Sequence, residues 1–188
     1  MNIILPGDKD YESRPSVQRK SLRINLNENI YGTFVEIGAG QEVARNFYRV
    51  GAASGTIDKS MSDYYKSFSD SIYGKAENGI YVTQNRLDKM LDHEMDLLEK
   101  RISRDKNPDK FFFVYANTVA TIDFVKKFKG HGWMGIRFQT NPNDEYSEIK
   151  LHLRFHQNEA KLQQESLGIM GVNLIYGAFY KHNEPLKL

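Results

Sequence analysis

The sequence predicts an α/β or α+β protein, with a mixed, largely antiparallel sheet of about five strands flanked by helices. Three observations carry that prediction. Phe111 to Ala120, FFFVYANTVA, is a dense apolar and aromatic run that suits a central strand. Between Thr83 and Arg104 the residues Leu87, Met90, Leu91, Leu98 and Ile102 form an apolar stripe among interleaved charges, the pattern of an amphipathic helix lying on a core. WMGIRFQT and SEIKLHLRFH alternate in polarity and are joined by the turn-rich NPNDEY, which predicts a hairpin.

Taken in chain order, residues 1–18 are rich in Pro, Gly, Asp and Ser and read as an extended arm, with 19–188 as one globular domain. Leu22, Ile24 and Leu26 alternate with Arg23, Asn25 and Asn27, the two-residue period of a half-buried strand. A turn near Asn29 to Gly32 leads into Thr33 to Ile37, so a β-hairpin is expected there. After Gly40, the residues Val43, Ala44, Phe47 and Val50 recur at helical spacing, and Gly51 is placed to end that helix. SMSDYYKSFSDSIYG reads as a polar helical patch. Lys106 to Lys110 is a polar linker, Lys126 to Lys129 a short basic segment, and Gly130-His131-Gly132 a turn. From Asn158 the pattern is helical and ends in the apolar stretch Gly168 to Tyr180, which is interrupted by Asn173 and too short to span a bilayer.

Composition narrows the function classes. A chain of 188 residues fits a single domain with a real core. Lys plus Arg at 26 against Asp plus Glu at 24 leaves a net charge of +2, so overall charge does not drive it onto nucleic acid or an anionic membrane. There is no cysteine, which removes disulfides, thiolate chemistry and Cys-based metal sites and fits a reducing cytoplasm. Without a basic n-region, the N-terminus does not read as a secretory signal.

Two constellations could carry chemistry. The first is Glu36-Ile37-Gly38-Ala39-Gly40, where a strand, a glycine turn and a helix start follow one another, a scaffold on which Gly38, Gly40 and Gln41 could approach a phosphate. It resembles the first motif of S-adenosylmethionine-dependent methyltransferases. However, Gln41-Glu42 stands where small residues are usual, and no acidic ribose-binding strand end is apparent downstream. A structural turn is the plainer reading. The second is the hairpin, where Glu148, Lys150, His152, Arg154 and His156 share one face opposite Ile149, Leu151, Leu153 and Phe155. Met134, Ile136 and Phe138 are expected to face inward, and Arg137 and Gln139 can join the charged side. With His131 from the glycine turn, Arg137, Lys150 and Arg154 make candidate anion binders, while His152, Glu148 and Lys150 are candidates for catalysis. A solvated face with cross-strand ion pairs accounts for the same pattern.

Glu148-x-Lys150 is similar to the acid-x-Lys element of restriction-type nucleases, with Asp144 or Asp123 as the second acid, but three residues are not specific. The five histidines show no metal-ligand spacing, so no metal site is expected. No Gly-x-Ser-x-Gly elbow or phosphate-binding P-loop occurs. Trp133 reads either as core or as part of a lid over an anionic ligand.

PGDKDYESRPSVQRKSLRINLNENIYGTFVEIGAGQEVARNFYRVGAASGTI, GHGWMGIRFQT and QQESLGIMGVNLIYGAFY resemble the N-terminal part of an uncharacterised bacterial family of cyanobacteria and Bacteroidetes. Members of that family carry the labels nicotinate or nicotinamide-mononucleotide adenylyltransferase, or TonB-dependent receptor. Neither label is matched by motifs of this chain. The resemblance implies one bacterial, cytoplasmic unit that continues beyond Leu188, in which Gly168 to Tyr180 packs against a following region or a second copy.

The expectation is therefore a domain that binds or transforms a phosphate-bearing small molecule such as a nucleotide, whether or not it is an enzyme, with the cofactor left open. The alternatives are an interaction or oligomerisation module of a longer protein and, more remotely, a metal-dependent nuclease. Nucleic acid and membrane are not expected partners.

Overall fold

A computed structural model describes residues 15–123 and 129–184. Five strands, β1 (Ile30–Gly38), β2 (Ile57–Asp63), β3 (Phe111–Ala120), β4 (His131–Phe138) and β5 (Ser147–Arg154), form one sheet in the order β2-β1-β3-β4-β5. β1 runs parallel to both β2 and β3, while β3–β4 and β4–β5 are antiparallel. The sheet is thus mixed, as expected, with parallel and antiparallel pairings in equal number. The central strands β1 and β3 are buried almost throughout, as strands covered on both faces must be.

Among the described residues five helices cover it: α1 (Val17–Asn25), α2 (Val43–Val50), α3 (Lys66–Tyr73), α4 (Gln84–Arg101) and α5 (Ala160–Tyr180). On one face Phe34, Phe113, Tyr115 and Ile136 pack with Ile24 of α1, Phe47 of α2 and Leu167 and Ile175 of α5. On the other, Val35, Ile37, Phe112 and Val114 pack with Tyr73 of α3 and Leu87, Met90, Leu91 and Leu98 of α4. The chain steps from β1 through α2 to β2, then back over β1 through α3 and α4 to β3. Right-handed crossovers that step in opposite directions put their helices on opposite faces, which is why α2 and α4 lie on either side of the sheet.

Several local expectations change. Leu22 to Asn25 belong to α1 and Leu26 caps it, so this segment is not a strand; α1 starts where the Ser16 hydroxyl accepts a hydrogen bond from Arg19 N at 3.3 Å. Val17 and Gln18, read with the arm, open that helix. In it Ile24 is fully buried and Leu26 is 64% exposed, so the alternation does not mark a sheet face. Among the described residues no hairpin precedes β1. The patch from Ser60 to Gly74 divides, its first part being the edge strand β2 and its second α3. His131 and Gly132 belong to β4 instead of a turn. Within the apolar stretch Gly168 to Tyr180, Val172, Ile175 and Ala178 pack into this chain's own core, while Ile169 and Met170 stay 46% and 37% exposed. Residues 1–14 of the arm and Lys126 to Phe128 of the basic segment lie outside the described residues.

Candidate functional site

Parallel strands that send their connections in opposite directions leave a crevice at their carboxyl ends. Here β1 turns toward β2 and β3 turns toward β4, and the crevice is present. It is a cleft of about 1030 Å³ lined by Ile37 and Gly38 of β1, Asp63 of β2, Thr118 and Val119 of β3, and Tyr64, Tyr65, Lys66, Ser69, Tyr81 and Lys129 around them.

Its floor is polar and incompletely satisfied. Asp63 is 8% exposed, and its Oδ1 accepts from Tyr65 N at 2.9 Å, while its buried Oδ2 has no hydrogen-bond partner among the described residues. The buried Ser69 hydroxyl also lacks one. An acceptor left unmade in a buried site costs about 1–3 kcal/mol, and such groups in native proteins call for an explanation. Thr118 Oγ1, by contrast, donates to the Tyr81 carbonyl at 3.0 Å and fixes the far wall. Tyr64 and Tyr65 stand exposed at the mouth, and Lys66 Nζ lies 5.4 Å from the Tyr81 ring centroid.

Among the residues singled out from sequence, Gly38 and Asp123 line this cleft and Gly40, Gln41, His131, Arg137, Glu148, Lys150, His152 and Arg154 do not. The glycine turn stands at the cleft wall, but the helix start behind it is already occupied. Glu36, 1% exposed, accepts from Val43 N at 3.0 Å and Ala44 N at 3.1 Å, the first amides of α2, and from Asn117 Nδ2 at 3.1 Å. An internal carboxylate thus sits where a bound anion would be expected. Burial pushes the Glu36 carboxyl up to about 7; its hydrogen bonds from Ala44, Val43 and Asn117 oppose the rise and the Glu42 charge adds to it. Asn117 Nδ2 also donates to the Gly40 carbonyl at 3.0 Å. Gln41 turns back to the Gly38 carbonyl at 3.3 Å.

The charged hairpin face is covered by α4. Arg137 pairs with Asp92 and Glu148, and Lys150 pairs with Asp88 at 2.8 Å and Glu148 at 2.7 Å. Burial favours a neutral Glu148, yet Lys150 and Arg137 override it and hold the carboxyl below its ordinary value. The hydrogen bonds that Lys150 donates to Asp88 and Glu148 raise its pKa. Neither cation is offered to an external anion, and Glu148 is tied to two cations instead of a metal. Asp144 bonds within its own turn, to Thr140 and Asn141. No group of three or more His, Cys, Asp or Glu among the described residues is gathered for a metal ion.

The other end of that face is different. His131 Nδ1 and His152 Nε2 lie 3.3 Å apart, Trp133 stacks on His152 with ring centroids 4.7 Å apart, and Arg154 stands in register with His131. Burial, then His152 and Arg154, lower the His131 pKa. Trp133 is half-buried against the α4 side of the core, neither fully interior nor a free lid.

The residue that sequence reasoning missed is Asp63. β2 reads as helical in sequence, so its end is not recognisable as a strand end. In the structure Asp63 is the last residue of β2, in register with Ile37 of β1, and is the acidic strand end that the glycine turn lacks in sequence.

No known family profile and no curated protein matches the sequence. The fold has clear relatives among solved structures. The competence/damage inducible protein CihA from Agrobacterium tumefaciens superposes with a TM-score of 0.61 at 12% identity, covering 93% of this chain and 97% of that one. A competence or damage-inducible protein from Enterobacter asburiae gives 0.61 at 9%, over 88% and 99%. A competence-damaged protein (CinA) superfamily protein from Escherichia coli gives 0.55 at 11%, over 94% and 92%. At such identities the similarity establishes a shared fold. It also overturns the grouping drawn from sequence. The likeness across nearly the whole chain is to the competence-damage fold, and the adenylyltransferase and TonB-dependent receptor labels are dropped. Among the described residues no helix is long and apolar enough to cross a membrane.

Proposed function

We propose that the cleft at the carboxyl ends of β1, β2 and β3 binds a small phosphate-bearing molecule of the nucleotide kind, in the cytoplasm. The observation that carries this reading is Asp63 Oδ2, a buried acceptor without a partner among the described residues, in a residue that lines a cleft of ligand size. A ligand bringing hydroxyl or N–H donors, such as a ribose diol, would supply the missing bond. In open α/β sheets an acidic residue at the end of the strand beside the glycine turn performs that task. Tyr64, Tyr65 and Tyr81 offer flat faces for a ring, and Lys66 and Lys129 offer charge for a phosphate. Beyond Lys129, His131 and Arg154 continue the basic side of the same sheet end.

The test is a calorimetric and thermal-shift screen with nucleosides, nucleotides, dinucleotides and inorganic phosphate, on the wild type and on Asp63→Asn and Lys66→Ala. A ligand at a hundred times its dissociation constant stabilises by about 2.7 kcal/mol, well within detection. Binding that needs both side chains supports the reading; a ligand indifferent to Asp63 overturns it.

A second reading is favoured by one observation. Tyr64 and Tyr65 are 77% and 73% exposed and Phe68 is 51% exposed, a concentration of aromatics suited to docking another protein. No shift with any small molecule would favour this interaction module.

A further inference from the structure

We infer that Glu36 is a pH-responsive latch, holding the turn from Gly38 to Glu42 in place when its carboxylate is charged and loosening it when protonated. The geometry is that of a tie between three segments. From β1, one carboxylate takes the Val43 and Ala44 amides of α2 and the Asn117 amide of β3, and Asn117 in turn holds the Gly40 carbonyl. The two amides belong to the first turn of α2, whose N–H groups have no acceptor within the helix. Glu42, at the cap position, makes no side-chain capping bond, so Glu36 supplies from the sheet what a local cap would.

A carboxylate is an acceptor at both oxygens, whereas a carboxylic acid turns one of them into a donor. The protonated oxygen is a weaker acceptor, and its O–H needs an acceptor that the two amides do not offer, so protonation weakens the hold on α2. The group is well placed to change state near neutrality, because burial raises its pKa to about 7. Its charged and titratable surroundings are few. The turn contributes Glu42, itself paired with Arg45 at 3.2 Å, whose charge favours the acid form. β3 contributes neutral Asn117 and Tyr115, the latter kept protonated by burial and by the Glu36 charge. α5 presents Leu167 beside Gly40, Gly168 beside Glu42 and Asn46, and Gly171 beside Val43 and the Tyr115 hydroxyl.

The latch acts on the cleft because Gly38 and Ala39, in the turn it holds, line the cleft wall. This coupling rests on the reading of the cleft as a ligand site, but the titration of the latch does not. Below neutral pH the wall is loosened and ligand affinity falls.

The experiment is NMR on protein with ¹³C-labelled glutamate carboxyls, titrated from pH 5 to 9, together with amide exchange at Val43 and Ala44 corrected for intrinsic rates. The Glu36 carboxyl is expected to titrate near 7, with both amides losing protection as it takes up its proton. Glu36→Gln removes that resonance and the pH dependence at both amides. If the variant does not fold, backbone-linked assignment in the wild type provides the same readout. A Glu36 carboxyl that titrates below 5, or amide protection that stays constant across its titration, overturns the latch. The latch titrating with no ligand bound at any pH supports the latch and refutes the cleft reading. Ligand affinity unchanged while the latch titrates refutes the coupling.

Discussion

Asp63 and Ile37 lie side by side in register at the carboxyl ends of two parallel strands, and both face the same cleft. That adjacency places a buried carboxylate beside the glycine turn, 23 residues after Gly40 in the chain. Its Oδ1 is satisfied by Tyr65 N and its Oδ2 by none of the described residues.

Asp63→Asn should separate stability from binding. Asparagine keeps an oxygen for Tyr65 N and removes a buried charge with an unmade bond, so the unliganded protein should be as stable as the wild type or more so. Ligand affinity should fall roughly tenfold or more, equivalent to about 1.4 kcal/mol. Urea unfolding and calorimetry on the same samples check both halves. A destabilised variant with unchanged ligand response would sink the assignment.

The Glu36 carboxyl has a pKa of about 7 when folded and an ordinary value of 4.5 when exposed. Between those values the folded state holds a proton that the unfolded state has released, so stability from this group falls as pH rises. It is fully present below pH 4.5 and lost through pH 7. A shift of this size corresponds to about 3 kcal/mol. Global stability and local order move in opposite directions here, since burying the charge is unfavourable while the charge is what orders the turn. Urea titrations from pH 5 to 8.5 should show the wild type losing stability relative to Glu36→Gln. A difference that is flat in pH would refute the linkage.

Arg137 is the centre of the α4-facing ion-pair network, held by Asp92 and Glu148. Asp92 is 64% exposed and rehydrates readily, and Glu148 keeps Lys150. Arg137→Met should therefore lower stability by only about 1 kcal/mol. A double-mutant cycle with Glu148→Gln checks that the two are coupled. A loss of 3 kcal/mol or more would mean the network is more buried in solution than its exposure indicates.

What was legible in sequence follows from how local each signal is. α4 and β3 announce themselves because their apolar patterns are strong and complete within one segment. The β4–β5 alternation was legible as well, but not that α4 covers its charged face, since Asp88 and Asp92 lie more than forty residues upstream. α1 was misread because Leu22, Ile24 and Leu26 alternate, although Ser16 is a proper helix cap. β2 was misread because Asp58, Lys59, Ser60 and Ser62 have little strand preference; pairing with β1 makes it a strand. Asp63 and the capping role of Glu36 follow from those tertiary pairings, which is why neither candidate could be read from sequence.

Gly38 and Gly51 allow the turn at the cleft wall to be tested without reference to any ligand. Their φ angles are nearly equal, +78° and +82°, in the region that L-residues avoid. On backbone grounds alone an alanine at either position is strained by about 1–3 kcal/mol. Their surroundings differ. A Cβ at Gly51 would meet nothing within 4 Å, whereas one at Gly38 would press into the Val119 carbonyl oxygen. That oxygen accepts from Ala39 N at 3.1 Å, so it cannot retreat without breaking the bond that holds the turn to β3. Gly38→Ala should thus cost at least twice what Gly51→Ala does, and amide exchange at Ala39 should quicken in the first variant only. Equal losses of stability in the two variants, measured by urea unfolding, would show that the turn moves freely against β3. The cleft wall would then be softer than the hydrogen bond from Ala39 to Val119 implies.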